Sequence, residues 1–94
     1  MLLAGGIAVP TASAAPEDEM FLNKAMQLGV TIKGNEGAET LIAAGKFFCR
    51  SVKSGYPQPE TYWALEARYP DVSSRDLYWI GVAAVEIYCP ELLG

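Results

Sequence analysis

Ninety-four residues, 51% of them apolar and with seven basic against eleven acidic side chains, leave room for one folded domain at most and give a net charge of −4. A chain this short buries a modest share of its surface and is expected to need a staple. The acidic balance counts against recognition of a phosphate backbone, so no nucleic-acid partner is expected, and the absence of histidine removes the commonest neutral-pH proton carrier and metal ligand.

The opening run from Met1 to Pro10 is uncharged and apolar, and Thr11-Ala12-Ser13-Ala14-Ala15 supplies the small residues a signal peptidase requires. Residues 1–15 are therefore read as a signal peptide cleaved after Ala14 or Ala15. No Lys or Arg precedes the apolar run, which fits a signal truncated at its N-terminus. About ten apolar residues cannot cross a hydrocarbon core of about 30 Å, so no stable membrane anchor is expected. The expected location is secreted, in the extracellular space or associated with the cell envelope.

The remainder, 16–94, reads as a single helical domain. Pro16-Glu17-Asp18-Glu19 places three carboxylates where a helix N-terminus favours negative charge, and Phe21, Leu22, Ala25, Met26 and Gly29 follow at helical spacing. The first helix is expected from Glu17 to Leu28, closed by Gly29 in a left-handed conformation. Val30-Thr31-Ile32 reads as an extended connector, and Lys33-Gly34-Asn35-Glu36-Gly37 as a mobile loop.

From about Ala38 to Ser54, Leu41, Gly45, Phe48 and Val52 form an apolar stripe with Ile42 and Cys49 beside it, opposite Glu39, Lys46, Arg50 and Lys53. Gly55 and Pro57-Gln58-Pro59 end that helix and prepare a third, short one from Glu60 to Tyr69, which Tyr69-Pro70 stops. Ser73 offers an N-cap with Asp76 three residues on. The fourth helix is apolar nearly all round, with Leu77, Ile80, Gly81, Ala84, Val85 and Tyr88 facing Tyr78, Trp79, Val82 and Ala83, so it is expected at the centre. The fold class is all-α, a small compact bundle of about four short helices.

Two cysteines in a short exported chain are most simply read as one structural disulfide, joining Cys49 in the second helix to Cys89 at the end of the fourth. A redox pair would favour Cys-x-x-Cys spacing, and a zinc site needs two further ligands that a histidine-free chain does not readily supply.

Glu17-Asp18-Glu19-Met20-Phe21-Leu22, Gly29-Val30, Ala43-Ala44-Gly45 with Cys49 four residues on, Gly55, and the closing Tyr88-Cys89-Pro90 together resemble domain of unknown function 732 (DUF732). This is a family of small secreted proteins typical of mycobacteria and their actinobacterial relatives. The resemblance covers Pro16 to Glu91. It implies an α-helical, exported domain with Cys49 and Cys89 as its paired cysteines, and it implies no activity. The chain departs from the family pattern in the longer Lys33 to Gly37 segment and in the aromatic weight of Phe47-Phe48 and Tyr78-Trp79.

No catalytic constellation stands out. Ser51, Ser54, Ser73 and Ser74 have no histidine to activate them, and the carboxylates of Glu17, Asp18, Glu19, Asp71 and Asp76 fall at helix starts, where capping and the dipole account for them. Lys46, Arg50 and Lys53 read as a solvated face. The expectation is therefore no enzyme, no cofactor and no metal.

Tyr56, Tyr62, Trp63, Tyr69, Tyr78, Trp79 and Tyr88 are many large rings for so small a body. Packing over neighbouring helices accounts for most of them, and Trp63, Trp79 and Tyr56 are the residues assigned to an interaction surface for a protein or envelope component. The alternative is a carrier of a small apolar ligand, such as haem or a lipid, held in a pocket within the bundle.

Overall fold

The computed structural model describes residues 16–93, so the expected signal peptide lies outside the described residues. Four α-helices follow in order: α1 (Pro16–Gln27), α2 (Gly34–Lys53), α3 (Gln58–Arg68) and α4 (Ser74–Ile87), with a closing 3₁₀ turn, Pro90–Leu93. No strand occurs among the described residues.

Glycine closes the first two helices in the same way. Gly29 and Gly55 take positive φ angles of 100° and 103°. Each sits at the centre of a pair of reversed bonds: Gly29 N–H donates to Met26 O and Val30 N–H to Ala25 O, and Gly55 N–H donates to Val52 O and Tyr56 N–H to Ser51 O. These are Schellman turns, which satisfy the last carbonyls of a helix and need a left-handed residue at their centre. Val30, delivered by the first turn, is buried at 4% exposure.

The segment expected as a loop, Lys33 to Gly37, is instead the start of α2, whose first turn is closed by Gly37 N–H donating to Lys33 O at 3.1 Å. Gly-Asn-Glu-Gly breaks a helix when read alone. Propagation from the helix-forming stretch after Ala38 adds one bond per residue ordered, and Glu36 complements the dipole of the first turn. The third helix begins two residues before the expected Glu60, because Pro57, at ψ 152°, serves as its N-cap and Pro59 is tolerated in the first turn.

Ser73 caps α4 as expected, its hydroxyl accepting from the Asp76 N–H at 3.1 Å. Ser73→Ala is expected to cost about 1 kcal/mol, read as a lowered urea midpoint with an unchanged m-value.

Helix α4 packs against α1, α2, α3 and the closing turn, and so occupies the centre of the bundle. The core is built from Phe21, Ala25, Leu41, Ile42, Ala44, Phe48, Leu65, Leu77, Ile80, Ala83 and Ala84 around the bridge between Cys49 and Cys89. Two glycines set the closest approaches. A methyl group on Gly45 would lie 2.7 Å from Phe21 Cζ, and one on Gly81 would lie 3.1 Å from Phe48 Cε1 and still closer to the Tyr62 ring. Met26, placed by periodicity on the apolar stripe of α1, is instead 51% exposed.

Candidate functional site

Helix α3 is the least embedded of the four. Its buried residues are Thr61 and Leu65, Tyr62 is half-buried, and the other eight positions are exposed. A short helix with two buried positions covers little of the core, and the gaps on its two sides form open clefts.

On one side, α3, α4 and the chain end enclose an apolar groove of about 360 Å³, lined among others by Phe48, Tyr62, Tyr78, Gly81, Val82 and Leu93. Gly81 leaves space at the floor for the Tyr62 ring, whose hydroxyl donates to Tyr78 O at 3.2 Å. The Tyr62 and Tyr78 rings stack with centroids 6.0 Å apart, and Tyr62 leans on Phe48 at 5.1 Å. Tyr78 and Leu93 remain 51% and 68% exposed at the rim.

On the other side, α2 and α3 border a cleft of about 470 Å³ lined by Phe47, Ser51, Tyr56, Glu60, Thr61 and Ala64. Phe47 is held under the Arg68 guanidinium, 5.3 Å from the ring centroid. Tyr56 is 60% exposed at the rim.

Of the three residues assigned to an interaction surface, Tyr56 and Trp63 are exposed, the latter at 66% on the outer side of α3. Trp79 is not: it is partly buried, packs against the core, and meets the edge of Tyr78 at 4.9 Å. It lines neither cleft. Helical periodicity cannot separate adjacent rings on a helix that is apolar all round; contact with neighbouring helices decides which one is covered. Sequence reasoning also did not single out Tyr62, Gly81 and Leu93. A glycine inside an apolar helix, which needs a close neighbour to justify its cost, was the available signal.

A polar corner lies where α1 meets α2 and the end of α4. Asp18, 5% exposed, accepts a hydrogen bond from the Tyr88 hydroxyl at 2.5 Å and pairs with Lys46 at 3.5 Å, while the Lys46 ammonium lies 5.5 Å from the Tyr88 ring centroid. Asp18 therefore does more than complement a helix dipole: it locks α1 to the last turn of α4. Farther along the same face of α2, Lys53 pairs with Glu91 at 2.5 Å, a hydrogen bond that holds the exposed Glu91 carboxyl below the usual range. Two of the three cations expected on a solvated face are thus tied to neighbouring elements. Among the described residues there is no cluster of three or more His, Cys, Asp or Glu side chains able to hold a metal. None of the described helices is long and apolar enough to cross a membrane.

Two tyrosines give the fold a pH dependence. Burial, with the charge on Tyr78 adding to it, pushes the Tyr62 phenol up to about 12. Tyr88 is pushed up by burial first, then by its hydrogen bond to Asp18 and the charges of Asp18 and Glu17. An unfolded tyrosine ionises near ~10, so the stability these groups contribute is complete below that pH and is lost as pH rises toward the folded values. The urea midpoint is expected to hold to about pH 9 and fall between about pH 10 and 12. Tyr62→Phe and Tyr88→Phe are each expected to flatten that fall, and an unchanged slope in both variants contradicts the assignment.

Five open clefts lie on the described surface, and none of these five is an enclosed void at the bundle centre. With this geometry established, comparison with known proteins gives one match: the family described as "Protein of unknown function (DUF732)" matches residues 16–91, the span over which the acidic-Phe-Leu opening and the closing Tyr-Cys-Pro suggested it. No curated protein and no solved structure matches the chain.

Proposed function

Because the chain belongs to the DUF732 family, whose membership carries no activity with it, we propose from its surface that it is a noncatalytic binding module acting outside the reducing cytosol, on a protein or another component of the cell envelope. The observation that carries this reading is the concentration of exposed apolar side chains around α3: Tyr56, Trp63, Tyr78 and Leu93 are each at least half exposed. Aromatic rings of this kind supply large contact area at low conformational cost. The disulfide supports export, since such bridges persist in oxidising compartments and small secreted domains depend on them.

The carrier alternative finds less support. At Gly45 and Gly81 the rings of Phe21 and Tyr62 fill the space a methyl group would need, and the apolar groove beside Tyr62 is open to solvent.

Retention of the oxidised protein on envelope fractions of its source cells tests the reading. Trp63→Ala combined with Tyr78→Ala is expected to reduce retention about tenfold with helical content unchanged. A variant carrying Trp79→Phe, which leaves Trp63 as its single indole, is expected to emit as an exposed indole and to shift blue on binding. Full retention by the double variant would falsify the proposal.

A further inference from the structure

The cleft between α2 and α3 carries a more specific chemistry than the groove on the opposite side of α3. We propose that it is a subsite for a saccharide residue; this rests on the binding reading above and names the ligand class for one part of that surface. Its lining combines two aromatic rings, Phe47 and the phenol of Tyr56, with two aliphatic hydroxyls, Ser51 and Thr61, one carboxylate, Glu60, and the methyl of Ala64. A pyranose presents matching chemistry: an apolar C–H face that lies against an aromatic ring, and a rim of hydroxyls that both donate and accept.

Thr61 is the second, independent pointer. It is 1% exposed, lines the cleft, and its hydroxyl finds no hydrogen-bond partner among the described residues. Buried polar groups are nearly always paired, and an unpaired one marks a position where a partner is wanted. As placed, the Thr61 hydroxyl is sealed from solvent; threonine in a helix divides between two χ1 wells, and the change of well that would bring the hydroxyl to a ligand leaves the backbone in place.

The walls are fixed in place. The Arg68 guanidinium covers Phe47 at 5.3 Å, and the Schellman turn at Gly55 sets the backbone of Tyr56 through its N–H bond to Ser51 O at 3.1 Å. The volume, about 470 Å³, is within the range of small-molecule sites. Other ligand classes fit less well. An anion would face Glu60, while Arg68, the cation over the Phe47 ring, is not among the lining residues; a hydrocarbon chain would leave Ser51, Glu60 and Thr61 unsatisfied. An ammonium group would engage Glu60 and an aromatic face but leave the Ser51 and Thr61 hydroxyls unused.

The test is a titration of the oxidised, isotope-labelled protein with glucose, galactose and mannose and with trisaccharides of each, followed by amide shifts. The expected result is saturable shifts centred on Ser51, Tyr56, Thr61 and Ala64, weak for the monosaccharides and at least about tenfold tighter for one trisaccharide. Tyr56→Ala and Thr61→Val are each expected to weaken that binding about tenfold or more, and Thr61→Val keeps side-chain shape, so it still reports if Tyr56→Ala disturbs the turn. Absence of shifts with every sugar at tens of millimolar, identical affinity in Thr61→Val, or shifts at these amides from n-butylammonium but from no sugar would each overturn the proposal. Such a failure is distinct from failure of the binding reading, which is measured through Trp63 and Tyr78 on envelope fractions.

Discussion

Replacing Cys49 and Cys89 together by alanine is expected to lower unfolding free energy by about 4 kcal/mol, the chain-entropy value for a loop of 40 residues. The bridge ties the middle of the bundle to the chain end: Cys49 lies in the later half of α2, and Cys89 follows the C-cap of α4, fully buried at 0% exposure. A small domain has about 5–15 kcal/mol of stability in all, so the loss takes a large part of it. Without the bridge, the closing turn keeps the Lys53–Glu91 pair, but its side chains are 48% and 55% exposed, so solvent screens it and it does not replace the covalent tie. Urea unfolding of the oxidised protein, the reduced protein and the double alanine variant checks this. The last two should share a midpoint far below the first; near-identical midpoints for all three would remove the disulfide from its stabilising role.

Phe21→Ala is expected to cost about 3–5 kcal/mol, the usual range for emptying a fully buried aromatic site. Phe21 is the side chain by which α1 enters the bundle. Its ring lies 4.9 Å from that of Tyr88 and fills the space left by Gly45 on α2. The glycine supplies a sharper test than the deletion alone. Alanine is the better helix former by about 1 kcal/mol, yet a methyl on Gly45 would lie 2.7 and 2.8 Å from Phe21 and 3.3 Å from Tyr88, and the sealed Phe21 ring has nowhere to go. Gly45→Ala is therefore expected to destabilise by about 1–3 kcal/mol in the native background and to become neutral or stabilising once Phe21 is alanine. A double-mutant cycle by urea unfolding reads this coupling, and additive effects would show that Gly45 is not a niche for the ring.

The helices themselves were legible because their punctuation is strong. Gly29 and Gly55 take the left-handed closures their type favours, Ser73 caps α4, and the all-round apolar pattern of the last helix marks it as central. The first turn of α2 was not legible, because its Gly-Asn-Glu-Gly sequence has loop composition and becomes helical through the residues that follow it. Which rings lie exposed was only partly legible. Tyr56 and Trp63 emerge exposed, but the choice of Trp79 over Tyr78 depended on which of two adjacent rings the neighbouring helices cover, a tertiary fact with no local signature. The same holds for Asp18. Its place in the first turn of α1 suggests a dipole role, while its burial against Tyr88 arises from contact across 70 residues of chain.

The binding reading makes α3 and its flanks the face that meets a partner. Amide hydrogen exchange of the oxidised protein, compared free and bound to envelope fractions, measures this directly. Slowed exchange should appear in the segments around Tyr56 to Trp63, Tyr78 to Val82 and the chain end at Leu93. Protection confined to the outer side of α1, around Met20 and Met26, or no change anywhere, would contradict it.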